Sequence, residues 1–596
     1  MPNSNNVNRS YKIIIKGRVQ GVGFRPHVYR LATKLGLKGS VSNNENGVII
    51  YLNGNEKQSF RFYESLIENP PSVSKITEHH FCESEPVKFD SFKIVPSGKN
   101  SKLNLQLTPD FGICEDCKKE LVQKDNRRYN YPFTTCVNCG PRWAITNSFP
   151  FEREHTNMKD FEMCPHCQNE YSDPGNRRFH SQTNSCPQCG PELVLTDSKG
   201  SKINEDSIMK RTACLIKEGK LIAIKNNSGY LLCCDANNRE AIQRLRSKKK
   251  RPSKPFAILY PSLSKLKKDL LINRFQENAL TSCESPIVLI PLNNFEGELA
   301  LKDLAPNLDH LGVMLPYSGI LQNLITEIGI PVVATSGNIH GSPILSSTEI
   351  AMEELSDVAD YFLNHNLYIT NPQDDSVVKF SRKFNQKVIF RRSRGYSPNF
   401  DAAVKSKEKI MAMGAHLKST IAFLPNDYLY ISQYLGNLDN FNVYDRYMRT
   451  VIKFTELFEQ LPEVILTDMH PNYHSTRFGR ELSEKWEIDY FQIQHHKAHF
   501  AAVLGEHQLF DSPNPILGVV WDGTGFGEDA QIWGGEFFKY QNGEMERLAL
   551  FEYFDWLAGD KMAREPRLSF LSLSNVEMQK VIEDKFSKEE TAVYNS

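Results

Sequence analysis

Four Cys-x-x-Cys pairs, Cys114/Cys117, Cys136/Cys139, Cys164/Cys167 and Cys186/Cys189, constrain this chain more than any other feature. In each half 18 residues separate one pair from the next, and a shift of 50 residues, from 114 to 164, carries the first half onto the second. The same shift carries Asn126-Arg127-Arg128-Tyr129 onto Asn176-Arg177-Arg178-Phe179, so the segment is a duplicated module. Thiolates are soft ligands that suit tetrahedral zinc, and two Cys-x-x-Cys turns supply the four sulfurs that close a site. Redox-active pairs do not explain four pairs in register, and iron–sulfur ligation uses other spacings. Two structural Zn2+ sites are therefore expected within residues 108–200. Pairing within each half is the simplest arrangement, and exchange of pairs between halves stays open. A closed four-cysteine site has no free coordination position, so the chemistry is expected elsewhere. The other cysteines, Cys82, Cys214, Cys233, Cys234 and Cys283, are expected in the core.

At 596 residues the chain is too long for one hydrophobic core, which stops growing at roughly 250–300 residues, so about four domains are expected. Lys plus Arg equals Asp plus Glu at 71 each, which provides no whole-chain attraction to nucleic acid or an anionic membrane. No apolar run approaches the ~18 residues of a membrane span. Met1–Ser10 lacks the basic and apolar segments of a secretory signal, so a cytoplasmic protein is expected.

Residues 11–96, within a module spanning 8–97, read as strand (Tyr11–Lys16), helix (Phe24–Leu35), a hairpin turning at Asn46-Gly47, helix (Phe60–Ile67) and closing strands to Val95. That βαββαβ order predicts a ferredoxin-like sandwich. Between the first strand and helix, the glycines of Gly17-Arg18-Val19-Gln20-Gly21-Val22-Gly23-Phe24-Arg25 let backbone N–H groups converge at a helix N-terminus, where an anion is favoured. The string resembles the acylphosphatase signature, and Gly39-Ser40-Val41-Ser42-Asn43 sits where that family carries its catalytic asparagine. The resemblance implies that Arg25 clamps a phosphate, that Asn43 orients the attacking water, and that an acyl phosphate is hydrolysed.

Residues 201–398 alternate apolar strand-like runs (Leu221–Ile224, Ile287–Pro291, Pro331–Ala334) with helical stretches, which predicts an α/β domain. On charge alone the run Arg244–Pro255 reads as a solvated or nucleic-acid-binding surface. Together with Thr335-Ser336-Gly337-Asn338, Asp374-Asp375-Ser376-Val377 and Arg391-Arg392-Ser393-Arg394-Gly395, however, it resembles the YrdC family, which makes carbamoyl-type adenylates from ATP. By that resemblance Lys249, Arg251 and Lys254 neutralise the triphosphate of ATP, bound with Mg2+, while Ser336 and Asn338 contact the nucleotide or acyl group. Lys225-Asn226-Asn227-Ser228-Gly229-Tyr230 departs from the glycine-richer loop of that family.

In residues 405–596, Met413-Gly414-Ala415-His416 begins a new pattern, followed by Asp468-Met469-His470-Pro471, His495-His496-Lys497-Ala498-His499 and Trp521-Asp522-Gly523-Thr524-Gly525. If Gln494–Val503 is helical, His495 and His499 lie one turn apart on one face, a metal-ligand arrangement. The set resembles the TsaD-like carbamoyltransferase branch of the actin/hexokinase-type fold. That likeness implies a catalytic divalent metal, Zn2+ or Fe2+, on His495, His499 and Asp522, and it implies that roughly half of the family's domain, in its second lobe, is missing here.

The whole series makes a multidomain α/β and α+β chain that resembles the HypF carbamoyltransferases of nickel–iron hydrogenase maturation. The resemblance implies a relay from carbamoyl phosphate and ATP, through carbamoyl-adenylate, to the C-terminal cysteine of a HypE-type acceptor, with no membrane or nucleic acid involved. Because carbamate is unstable in water, an enclosed path between sites is expected. Two rival readings are a fused enzyme of tRNA threonylcarbamoyladenosine synthesis and a zinc-stapled scaffold without activity. The acylphosphatase-like loop and neutral net charge oppose the first.

Overall fold

The computed structural model describes residues 9–44, 47–96, 104, 106–149, 151–293, 295–339, 341–400, 406–557, 561–562, 565–574 and 578–594. Two compact units partition the chain: residues 1–401 with 416–462, and residues 402–415 with 463–596. The chain thus passes into the second unit, returns to the first and leaves it again. Residues 416–462, expected with the C-terminal module, contribute a long helix, Phe441–Phe458, to the first unit.

In the N-terminal module the strands β1 (Arg9–Arg18), β2 (Lys38–Asn44), β3 (Gly47–Gly54), β4 (Lys75–Ser84) and β5 (Phe92–Ile94) form one sheet in the order β4-β1-β3-β2-β5. All pairs are antiparallel except β2 with β5. Alternation along β1 and β3 buries Ile13, Ile15, Val48 and Ile50, and the helices Phe24–Lys34 and Glu56–Glu68 add Val28, Ala32, Phe62 and Leu66 to that core. The second helix starts before the expected Phe60, because the Asn55 side chain caps it by accepting from Gln58 N at 2.8 Å. The β2–β3 hairpin closes through Asn44 opposite Gly47, and Asn46 of the expected turn lies outside the described residues.

Further along the first unit, ten strands form one mixed sheet: β6 (Leu193–Asp197), β7 (Ile222–Asn226), β8 (Gly229–Asp235), β9 (Ala257–Leu259), β10 (Ile287–Pro291), β11 (His310–Met314), β12 (Val332–Ser336), β13 (Tyr361–His365), β14 (Val377–Phe380) and β15 (Lys387–Arg391). Their order is β15-β14-β10-β11-β9-β12-β8-β7-β13-β6. The expected strands are all present. Every residue of β7 is buried, since apolar clusters cover both faces of the sheet centre, which explains a run without alternation. The departing segment Lys225–Tyr230 is the tight turn between β7 and β8.

The basic run Arg244–Pro255 is only in part the solvated surface that its charge alone suggests: Lys248, Lys250 and Lys254 are exposed, but Lys249 is buried. Arg244 pairs with Asp360, and Arg246 donates to the Asp303 carbonyl. Cysteine placement also needs correction. Cys233 and Cys234 are buried on β8 and Cys283 is half-buried, but Cys82 and Cys214 are exposed. Cys82 sits on β4, an edge strand, and Cys214 points outward from the helix Ile208–Lys217.

In the second unit the strands Ile410–Ala412, Val464–Asp468 and Asp489–Ile493 run parallel, and Ile516–Val520, Glu536–Gln541 and Glu544–Leu550 form an antiparallel sheet. The helices His474–Trp486 and His495–Glu506 follow the second and third parallel strands. Among the described residues, no helix is long and apolar enough to cross a membrane.

Candidate functional site

The eight repeat cysteines gather as expected, four from each half: Cys114, Cys117, Cys136 and Cys139 in one cluster, Cys164, Cys167, Cys186 and Cys189 in the other. Pairing is therefore within halves. In each repeat the first cysteine precedes a short helix (Glu115–Val122, Pro165–Ser172) and the second lies in its first turn, so one turn aims both sulfurs inward. Neighbouring Sγ atoms lie 3.5 to 3.9 Å apart in the first cluster and 3.5 to 3.7 Å apart in the second. A zinc tetrahedron with ~2.3 Å bonds has an edge of ~3.8 Å, so both donor sets fit Zn2+.

Arginines cross between the repeats. Arg177 Nη2 donates to Cys117 Sγ at 3.1 Å, and Arg127 Nη2 donates to Cys167 Sγ at 3.3 Å. Arg177 and Arg178 pair with Glu120, and Arg127 and Arg128 pair with Glu170, in a reciprocal arrangement. Burial opposes ionisation of Glu170, but hydrogen bonds from Arg128 and Arg127 hold its carboxyl at about 2. The duplicated Asn-Arg-Arg motif is thus the clamp that joins the two sites.

In the N-terminal module, Gly21 and Gly23 adopt φ of 69° and 74°, the left-handed region that lets the loop turn its amides toward the helix start. Arg25 and Asn43 come together on one cavity with Gly21 and Gly23. Asn43 is buried, and its Oδ1 has no hydrogen-bond partner among the described residues. Arg25 Nη2 donates to Glu152 Oε1 at 3.0 Å. The opposite wall holds Val137, Arg142, Phe151 and Ser181 of the zinc-binding region, and sequence reasoning found neither this wall nor Glu152.

The ten-stranded sheet carries a cavity of about 380 Å3 whose lining includes Arg251, Lys254, Ser336, Asp374, Asp375 and Arg391. The expected motifs therefore converge, although two residues take a different place from the one expected. Lys249 is 1% exposed, and its Nζ donates to Ser336 O at 2.6 Å, to Asn338 Oδ1 at 2.7 Å and to Asn338 O. Lys249 and Asn338 bind each other beneath the cavity, where a lysine stem is long enough to brace the turn after β12. Burial pushes the Lys249 ammonium down to about 7, with the nearby Arg251 charge acting in the same sense. Arg394 pairs with Asp375 at 2.8 Å and lies 3.5 Å from the ring centre of Tyr317, and both of these partners line the cavity.

In the second unit His495, His499 and Asp522 place their donor atoms within 4.8 Å of one another. His495 opens the helix His495–Glu506 and His499 follows one turn later, as their spacing predicts. Asp522 Oδ2 lies 2.9 Å from His495 Nε2 and 3.1 Å from His499 Nε2. Asp468, at the end of its strand, binds His495 Nδ1 at 2.6 Å, which fixes the ring with Nε2 toward the cluster. The hydrogen bonds that His495 donates to Asp468, then Asp522, raise it to about 9, and those from His495 and His499 hold Asp522 well below the carboxylate range. Two imidazoles and one carboxylate fit a divalent cation that keeps positions open for other ligands.

Family models match successive stretches of the chain: "Acylphosphatase" matches residues 11–94, "HypF finger" 113–146 and 163–196, and "Telomere recombination", the Sua5/YciO/YrdC model, 214–393. "HypF Kae1-like domain" matches 405–506, and "Carbamoyltransferase, Kae1-like Domain, second subdomain" matches 518–595. A carbamoyltransferase HypF from Synechocystis is 38% identical, covering 95% of this chain and 72% of the relative. A probable carbamoyltransferase HypF from Methanocaldococcus jannaschii is 40% identical over 95% and 74%. A full-length HypF crystal structure in the phosphate- and nucleotide-bound form is 37% identical, with a TM-score of 0.87 over 99% of this chain and 78% of that one. Five domain models match along the sequence and the relatives align with nearly all of it: the chain belongs to the HypF family of carbamoyltransferases.

Proposed function

We propose that this carbamoyltransferase works in the cytosol as a three-step relay. At Arg25 and Asn43, carbamoyl phosphate and water give carbamate and phosphate. In the cavity of Arg251, Lys254 and Ser336, carbamate and ATP, carried with Mg2+, give carbamoyl-adenylate and pyrophosphate. In the second unit the carbamoyl group passes to the C-terminal cysteine thiol of a HypE-type acceptor, and AMP leaves. A divalent cation held by His495, His499 and Asp522 would polarise the acyl oxygen in that transfer.

One observation carries this reading: the cavity at Arg25 has the zinc-binding region for one wall, and a second cavity of that region shares Tyr317 with the cavity at Arg251. Val137 and Ser181 stand in that wall, and the second cavity lies among Thr135, Gly140, Thr183 and Tyr317. Such an arrangement suits an intermediate that does not survive in bulk water. The test is exchange of pyrophosphate into ATP. Exchange dependent on carbamoyl phosphate is expected; exchange driven only by threonine plus bicarbonate would overturn the reading in favour of tRNA threonylcarbamoyladenosine chemistry.

A further inference from the structure

The zinc-binding region does more at the N-terminal cavity than lie beside it. A Cβ on Gly23 would stand 2.8 Å from Val137 Cγ2, and one on Gly21 3.1 Å from Phe151 Cδ1, so the phosphate-type loop is packed directly under this wall. Arg142 Nε donates to Gly21 O at 3.0 Å, anchoring the loop from the zinc side.

Two side chains of the wall meet the chemistry of the cavity. The first is Ser181, 2% exposed, a residue that lines the same cavity as Arg25 and Asn43 and whose hydroxyl has no hydrogen-bond partner among the described residues. A buried hydroxyl in that position is disfavoured until a ligand completes it. The second is Glu152. Its Oε1 takes one N–H of Arg25, and its Oε2 accepts from Gln182 Nε2 at 3.0 Å. Gln182 is itself fixed, since its Oε1 accepts from Arg153 N at 2.9 Å and from Tyr171 O–H at 3.1 Å. The carboxylate is therefore aimed at Arg25, and it leaves the rest of the five-donor guanidinium fork for an anion.

We infer that the acylphosphatase site is composite: Ser181, from the second zinc repeat, donates its hydroxyl to the bound acyl phosphate, and Glu152 is a positioning residue that presents Arg25. This rests on the reading of Arg25 as the phosphate ligand. A charge-assisted hydrogen bond to a phosphoryl oxygen is among the stronger ones, so its loss is readable in binding. Glu152 places a negative charge beside the anion while orienting its ligand, so removing the charge and removing the side chain act in opposite directions.

The experiment uses the full chain with zinc bound and follows carbamoyl phosphate hydrolysis, inhibition by inorganic phosphate, zinc content and melting. S181A is expected to raise KM about tenfold with little change in kcat, and S181T to restore most of the loss. E152Q, which keeps an acceptor for Arg25 but drops the charge, is expected to lower the inhibition constant for phosphate severalfold, whereas E152A slows hydrolysis. R25A serves as the reference. If R25A hydrolyses at the wild-type rate, the phosphatase reading itself falls. If R25A is inactive and S181A keeps the wild-type KM, the composite site falls and the phosphatase reading stands. Weaker phosphate inhibition in E152Q would remove Glu152 from its role. Because Ser181 to Ala changes one hydroxyl, zinc content and melting are expected to hold; should they not, the hydroxyl-retaining S181T decides, and a tenfold KM rise in folded S181T would overturn the contact.

Discussion

Arg177, in the second zinc repeat, donates to the sulfur of Cys117, in the first, at 3.1 Å. Each four-cysteine site carries excess negative charge when zinc is bound, and here the neutralising guanidinium comes from the other repeat. The sites are thus electrostatically reciprocal, and either one lacks part of its outer shell without the other.

The first prediction follows from that exchange. Arg177→Ala leaves all eight ligands intact yet is expected to weaken zinc binding at the Cys114 cluster by about 10–100-fold. Arg127→Ala should do the same at the Cys164 cluster. Competition with a coloured chelator, combined with removal of one cluster at a time, reads which site loosens. Loosening of the Cys164 cluster alone by Arg177→Ala would count against the arrangement.

Asp468 touches none of the proposed metal positions directly, but it holds Nδ1 of His495. Asp468→Asn removes the charge and the acceptor on that side, so divalent-metal affinity at the second-unit cluster should fall by about 10–100-fold while the fold persists. Calorimetric titration of protein with both zinc clusters filled measures this, with His495→Ala as the zero-binding reference. Unchanged affinity would mean that Asp468 orients nothing.

Lys249 and its neighbours in the basic run should part company on mutation. Lys249→Met removes one donor from Ser336 O, Asn338 O and Asn338 Oδ1; Ser336 O keeps Asn338 N and Asn338 Oδ1 keeps Ser336 Oγ, but Asn338 O loses its partner at a cost of about 1–3 kcal/mol, so a fall in melting temperature should accompany loss of pyrophosphate exchange. Arg251→Ala and Lys254→Ala line the cavity and should chiefly raise KM for ATP. A Lys249→Met protein as stable as wild type, with only KM altered, would restore it to the role of a phosphate contact.

His365 supplies a pH test. It is buried beside Phe133, and burial, helped by the Lys225 charge, lowers it from 6.5 to about 3. Below pH 6.5 the unfolded chain takes up a proton that the folded chain refuses until about pH 3, so this residue's stabilisation is full above 6.5 and lost as pH falls. The slope is about 1.4 kcal/mol per pH unit at its steepest. His365→Phe is expected to flatten the acid side of the melting-temperature profile between pH 6.5 and 4. Parallel profiles for the two proteins would show that His365 does not report on folding.

The legible parts of this molecule are those whose chemistry is written in short spacings. Two Cys-x-x-Cys turns supply four sulfurs to one ion, and a His-x-x-x-His pair on a helix shares a face, so these ligands are legible in their spacing, whereas Asp522 joins them only through the family resemblance. The glycine loop ahead of Arg25 was readable for the same reason, because only such a string turns backbone amides toward a helix start. What escaped depends on contacts between distant segments. Glu152 lies 127 residues from Arg25, and nothing near it in sequence marks it as a partner. Lys249 is a triphosphate contact by resemblance, yet the three oxygens around it belong to a turn 87 to 89 residues away. Cys82 failed because a residue type predicts burial only on average, and edge-strand β4 leaves most of its side chains in water.

The return of residues 416–462 to the first unit has a consequence for how the chain is made. The strand Ile410–Ala412 leaves the ribosome before its partner Val464–Asp468 exists, and the first unit cannot finish before Pro462 appears. At ordinary synthesis rates that interval lasts roughly 2–10 s, during which one unit waits for its last helix and the other lacks the partner strand Val464–Asp468. Each unit is therefore a co-translational timer for the other, and a cut anywhere between 402 and 462 would leave both nascent domains unfinished rather than yield one domain whole.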